Sequence, residues 1–154
     1  FTVNIALIEN GEPILGVVTA PALKEAYWGL KGEGAYKRDR TGRTRRISVV
    51  EPGEAKRVVA SKNHLNDETK AFIDKLGAHE LVQAGSSLKF CKIAEGHADI
   101  YPRLGPTCEW DTGAAHAVLS AAGGKVETLE GKPLQYGKQE VLNPHFIAAG
   151  NWYK

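Results

Sequence analysis

EWDTGAAHAVLSAAGG, residues 109–124, holds the clearest helix signal in the chain and places a carboxylate at its mouth. From Gly113 to Ala122 every residue is small or apolar apart from His116 and Ser120, and Gly123-Gly124 supply a stop. Asp111 admits two readings. Aspartate is a favoured N-cap, because its carboxylate accepts from the first free backbone N–H groups. A carboxylate at a helix mouth with no bulky side chain before it also suits a hard cation beside a phosphate, the small residues letting both approach the backbone.

Working outward, apolar runs and helical patterns alternate. RVVASK (57–62), ELVQAG (80–85), IYPRL (100–104), KVETLEG (125–131) and HFIAAGN (145–151) read as strands. LNDETKAFIDKLG (65–77) reads as an amphipathic helix ended by Gly77, and SSLKFCKIAEGHAD (86–99) as one opened by Ser86 or Ser87. Strands alternating with helices predict an α/β layer over residues 51–154. Residues 1–50 differ. FTVNIALIENGEPILGVVTAP (1–21) predicts a hairpin turning at Asn10-Gly11, and EAYWGLKGEGAYKR (25–38) a second turning through Lys31 to Gly34. These antiparallel strands belong to a different layer, with the boundary near Glu51-Pro52-Gly53.

The chain has 154 residues, of which 42% are hydrophobic and 25% charged, with a net charge of +2. These values fit a soluble globular chain that buries a sizeable core. They give no sign of a nucleic-acid partner, and no apolar run reaches membrane-spanning length. Cys91 and Cys108 lack metal-ligand spacing, so reduced thiols in the cytoplasm are expected. KRDRTGRTRR (37–46) packs six basic residues into ten. It reads either as a solvated loop or as an anion or nucleic-acid patch, and no aromatic residue is interleaved in it. The chain contains no methionine and opens directly on the body of a strand, which predicts that it is part of a longer protein whose missing portion precedes Phe1.

In α/β sheets, ligands bind beyond the carboxyl ends of strands. Four segments reach such ends: SKNH (61–64), GSSLK (85–89), YPRLGP (101–106) and EWDTG (109–113). Ser86 and Lys89 stand at a Gly-led helix start suited to an anion. Arg103 offers a planar fork that suits phosphate, and His64 lies between a strand and a helix. Taken singly, each is as well explained by a cap, a surface ion pair or a satisfied side chain; together they converge. The Walker phosphate loop, a G-x-S-x-G elbow and a dinucleotide fingerprint are absent, and the five histidines show no zinc-like clustering.

WDTGAAHAVLSAAGG resembles the second signature of the inositol monophosphatase superfamily: W-D, a few small residues, an apolar helix and A-G-G. FTVNIALIENGEPILGVVTAP is similar to the strands that follow that family's first metal motif, and GSSLKFCKIAEGHADIYPRLGPTCEWD resembles the 3′(2′),5′-bisphosphate nucleotidases within it. The resemblance implies a layered α/β/α/β sandwich and a magnesium-dependent phosphatase that converts 3′-phosphoadenosine 5′-phosphate to AMP. It implies Asp111 as a magnesium ligand, and His64, Ser86, Lys89, Arg103 and Asp111 as substrate contacts. The inositol enzymes carry a glutamate where Arg103 stands, so arginine there favours a second phosphate. The alternatives are an inositol-phosphate or sugar-bisphosphate phosphatase, or a non-catalytic nucleotide-binding module. Some relatives sit at the inner membrane, so the expected location is cytoplasmic with room for peripheral attachment.

Two departures matter. The family's D-P-[LI]-D-G-T motif and its upstream glutamate are absent from the sequence. The expectation is that this chain alone binds magnesium poorly and turns over little substrate, its natural partner being the rest of its own N-terminal domain. Gly113 stands where relatives more often have alanine, at a cost of at most about 1 kcal/mol of helix propensity.

Overall fold

A computed structural model describes residues 1–60 and 65–154. The first five strands are β1 (Val3–Glu9), β2 (Glu12–Ala20), β3 (Glu25–Leu30), β4 (Gly34–Arg38) and β5 (Thr44–Ile47). They form one antiparallel sheet in sequence order. Asn10 and Gly11 turn the first hairpin with φ of 52° and 81°, the paired positive values that two-residue hairpin turns need. The basic run does not form a simple loop. Asp39 closes an Asx turn, its Oδ1 accepting from the Thr41 N–H and hydroxyl and from the Arg43 N–H. The chain then returns as β5, so the arginines flank a third hairpin. Their charge hid a turn chemistry supplied by Asp39, Thr41 and Gly42.

The second sheet has the order β7-β6-β8-β10-β9, built from β6 (Lys56–Val59), β7 (His79–Val82), β8 (Ile100–Arg103), β9 (Gly124–Thr128) and β10 (Phe146–Gly150). β7, β6 and β8 run parallel, whereas β10 is antiparallel to β8 and β9. Helices α2 (Leu88–Ala94) and α3 (Glu109–Ala121) lie between the sheets, and α1 (Asp67–Lys75) covers the far face of the second. The layers are therefore α/β/α/β, as the resemblance implied. One core cluster joins Val18, Tyr27 and Ile47 of the first sheet to Phe90 and Ile93 of α2, Val118 and Leu119 of α3, and Phe146 of the second. A smaller cluster seats Ile73 of α1 on Val58, Ile100 and Ile147.

The small residues of α3 have a packing role that the sequence did not show. A Cβ on Gly16 of β2 would lie 2.0 Å from the carbonyl oxygen of Ala114. One on Gly29 of β3 would lie 2.9 Å from the Cα of Val118. Helix and sheet thus meet backbone to backbone, and only glycine on the sheet facing alanine on the helix permits it. Gly113 faces Ala6 and Ile8 of β1. From Gly113 to Leu119 the run is buried, and it packs against the first sheet.

Candidate functional site

Because β7, β6 and β8 are parallel, their carboxyl ends share one side of the sheet. The segments leaving β7 and β8 lead into α2 and α3 there, and the start of β1 arrives beside them. Between them opens a cleft of about 350 Å³. Ser86, Lys89, Arg103 and Asp111 all line it, as do Thr2, Thr107 and Thr112. His64 lies outside the described residues.

Lys89 and Arg103 dominate the electrostatics. Lys89 is 7% exposed, and its Nζ sits 5.5 Å from the centre of the Tyr101 ring. Burial lowers its pKa below the ordinary lysine value, and the charge of Arg103 lowers it further. Arg103 donates from Nη2 to the carbonyl of Pro106 at 3.1 Å, while its buried Nε has no partner among the described residues. Neither cation has a carboxylate partner within 4.0 Å among the described residues. Two like charges beside one cleft, one of them desolvated, raise the energy of the empty site and favour an anion in it.

Asp111 is exposed at the cleft and is not the N-cap of α3. Cys108 takes that position, and Asp111 stands at the third helical residue. Its Oδ2 accepts from the Cys108 N–H at 2.8 Å, the reach-back of a capping box. Asp111 thus caps the helix from its third position and also lines the cleft. Magnesium demands near-octahedral oxygen coordination, and no cluster of three or more His, Cys, Asp or Glu capable of holding a metal occurs among the described residues. The described residues fit one ligand position of such an ion and no more.

Three cleft residues escaped the sequence reading. The Thr2 hydroxyl lies 2.9 Å from that of Ser87 and accepts from Asn4 Nδ2 at 3.0 Å, stitching β1 to the start of α2. Ser87 is buried whereas Ser86 is exposed, with a φ of 48°. This left-handed value is uncommon outside glycine, and it turns the chain into α2. Thr107 accepts from Asn143 Nδ2 at 3.1 Å. Contacts between residues 36 or 85 positions apart leave no local pattern. α2 has seven residues and Ser87 makes no side-chain cap, so the positive charge beside the cleft comes from the Lys89 and Arg103 side chains more than from a helix terminus.

The inositol monophosphatase family model matches residues 1–153. The chain belongs to the inositol monophosphatase family. Among curated members, a 3′(2′),5′-bisphosphate nucleotidase CysQ of Salmonella typhimurium is 48% identical over 147 residues, spanning 95% of this chain and 58% of that protein. The protein of the same name from Escherichia coli K12 matches with the same identity and coverage. The crystal structure of CysQ from Bacteroides thetaiotaomicron superposes with a TM-score of 0.89 at 40% identity, covering 97% of this chain and 62% of that one. The chain thus spans a little under two thirds of the length of these family members. No helix among the described residues is long and apolar enough to cross a membrane.

Proposed function

We propose that the cleft binds a bisphosphorylated nucleotide, 3′-phosphoadenosine 5′-phosphate, and belongs to a phosphatase that hydrolyses its 3′-phosphate to give AMP and phosphate. One observation carries this reading: Lys89 and Arg103, without carboxylate partners among the described residues, line the same cleft as Asp111. The names of the nucleotidase relatives support it. Arg103, whose Nε has no partner among the described residues, would take one phosphate through its fork. Lys89 would add a point charge, and the Ser86 hydroxyl a hydrogen bond. His64, in the segment that follows β6, would contact the nucleoside. In the net reaction water attacks phosphorus, the bond from phosphorus to the ribose 3′-oxygen breaks, and that oxygen leaves as a hydroxyl.

The same reading assigns Asp111 as one ligand of magnesium, with the remaining ligands supplied by groups that these residues do not contain. When bound, the ion would neutralise phosphoryl charge and lower the pKa of a coordinated water. Residues 1–50 would then be part of a larger N-terminal domain, and residues 51–154 the C-terminal α/β domain. Two features support a covering segment there: β1 is an unpaired edge of its sheet, and Val3, Ile5, Leu7 and Trp110 are exposed. The two free cysteines suit the reducing cytoplasm.

Calorimetric titration of the chain with 3′-phosphoadenosine 5′-phosphate, AMP and inositol 1-phosphate tests the substrate class. The bisphosphate should bind best, and Arg103→Glu should weaken it far more than it weakens inositol 1-phosphate. Equal losses for the two ligands would remove the second-phosphate role and favour a sugar-phosphate site.

A further inference from the structure

A buried chain of polar side chains runs behind the cleft, and the phosphatase reading gives it no role. His116 Nδ1 lies 2.8 Å from the Tyr136 hydroxyl. That hydroxyl donates to Thr112 Oγ1 at 3.1 Å. Asn143 Nδ2 donates to Thr112 Oγ1 and to Thr107 Oγ1, both at 3.1 Å. Thr112 in turn donates to the carbonyl of Glu109 at 3.3 Å. All but Thr107 are buried.

Counting protons fixes the direction of the bonds that join His116, Tyr136 and Thr112. A threonine hydroxyl has one hydrogen and two lone pairs. Thr112 spends all three, donating to Glu109 and accepting from Tyr136 and Asn143. Tyr136 has given its only hydrogen to Thr112, so His116 must donate to it, and the imidazole carries its proton on Nδ1. Burial pushes the pKa of His116 down to about 4, which keeps it neutral with a single N–H. Asn143 Oδ1 has no partner among the described residues, but the Thr112 hydroxyl is fully used, so it cannot turn without leaving a buried group unpaired.

Its two outlets are residues of the cleft wall. Thr112 follows Asp111 directly, and Thr107 precedes the N-cap Cys108. We infer that Thr112, held by Tyr136 and Asn143, is a positioning residue that fixes the first turn of α3 and so aims the Asp111 carboxylate into the cleft. The segment bearing Tyr136 and Asn143 is fastened to the same turn by further bonds. Glu109 accepts from the Gly137 and Lys138 N–H groups, and the Glu109 N–H donates to Val141. Asn143 also leaves Thr107 with its proton free to donate into the cleft. The holding of Asp111 stands on these bonds alone. Its value for binding rests on the proposed function.

The test compares Thr112→Val, Thr112→Ser and Tyr136→Phe in the whole chain. Amide hydrogen exchange at Cys108 reports the bond to Asp111 directly, and exchange at Val18 and Tyr27 reports global opening. Thr112→Val and Tyr136→Phe should speed exchange at Cys108 about tenfold relative to any change at Val18 and Tyr27. Thr112→Ser should restore the slow rate. In the presence of magnesium, Thr112→Val should also weaken 3′-phosphoadenosine 5′-phosphate about tenfold, and Thr112→Ser should not. Tyr136→Phe removes a single hydroxyl and carries the test if Thr112→Val does not fold. Unchanged exchange at Cys108, or a rise shared equally by Val18 and Tyr27, overturns the inference. Failure of Lys89→Gln to weaken nucleotide binding would instead sink the cleft reading while leaving the exchange result standing.

Discussion

Gly16→Ala adds one methyl group where β2 meets α3, and the structure sets the consequence. The new Cβ would lie 2.0 Å from the oxygen and 2.8 Å from the carbon of the Ala114 carbonyl, and 2.9 Å from the Cβ of Ala117. An ordinary carbon–oxygen contact is about 3.2 Å or more, so helix or strand must retreat by more than 1 Å. The obstacle is backbone, which cannot rotate aside. Overpacking of this kind costs about 1–3 kcal/mol, occasionally more. Exchanging glycine for alanine in a strand would otherwise gain some stability. At the upper end of that range the melting temperature falls by about 6–12 °C for a chain of this size. The displaced helix carries Asp111, so nucleotide affinity should fall as well. Urea denaturation and calorimetry on the same samples measure both. Gly53→Ala is the control: no atom lies within 4 Å of its added Cβ, and neither property should change. A Gly16→Ala variant with native stability and affinity would refute the argument that α3 is seated backbone to backbone on the first sheet.

Other outcomes follow from the buried charges. Lys37 Nζ lies 3.0 Å from Glu25 and 2.9 Å from Glu95, whose side chain is fully buried between the first sheet and the end of α2. Lys37→Met removes one partner of Glu95 and leaves His97 Nδ1 at 2.6 Å and Lys92 Nζ at 3.8 Å, so it should cost about 1–3 kcal/mol in urea denaturation; no measurable loss would contradict the pairing. Burial pushes the Glu95 carboxyl up, but the Tyr27 hydroxyl and Lys37 outweigh it and hold it below the ordinary value. Its contribution to stability is therefore present above the unfolded carboxylate pKa and is lost as pH falls through the lower folded one. Glu95→Gln should flatten that acid limb. Lys89 has the same sign although it is a base: its depressed folded pKa means the unfolded chain binds more protons, so stability rises as pH climbs through that value. Lys89→Met should raise stability by about 1 kcal/mol while weakening anion binding. A destabilised Lys89→Met variant would show that the lysine is better satisfied in the empty cleft than its surroundings indicate.

Periodic signals were legible in the sequence. Val3, Ile5 and Leu7 alternating before Asn10-Gly11 specified a hairpin, and Ile73 with Leu76 before Gly77 specified α1. The Arg-rich run hid β5, because strand formation there depends on the Asp39 turn and on pairing with β4. The convergence of Ser86, Lys89, Arg103 and Asp111 could be anticipated, since each follows a strand end on one side of a parallel layer. The capping position of Asp111 was misplaced by three residues. Cys108 is a weak capping residue by type, and its role follows from the reach-back of Asp111. Nothing local announced Thr2 against Ser87, or Asn143 between Thr107 and Thr112, because these bonds join segments brought together only by the fold. The small residues of α3 were visible, but their reason lay in Gly16 and Gly29, on strands some hundred positions away.

A crystal structure of the chain with 3′-phosphoadenosine 5′-phosphate and magnesium tests the central claim most directly. One phosphate should lie within hydrogen-bond reach of Arg103 and Lys89, with a phosphoryl oxygen or ion beside Asp111. A nucleotide bound elsewhere, or a cleft in which Lys89 and Arg103 contact no phosphate, would contradict it.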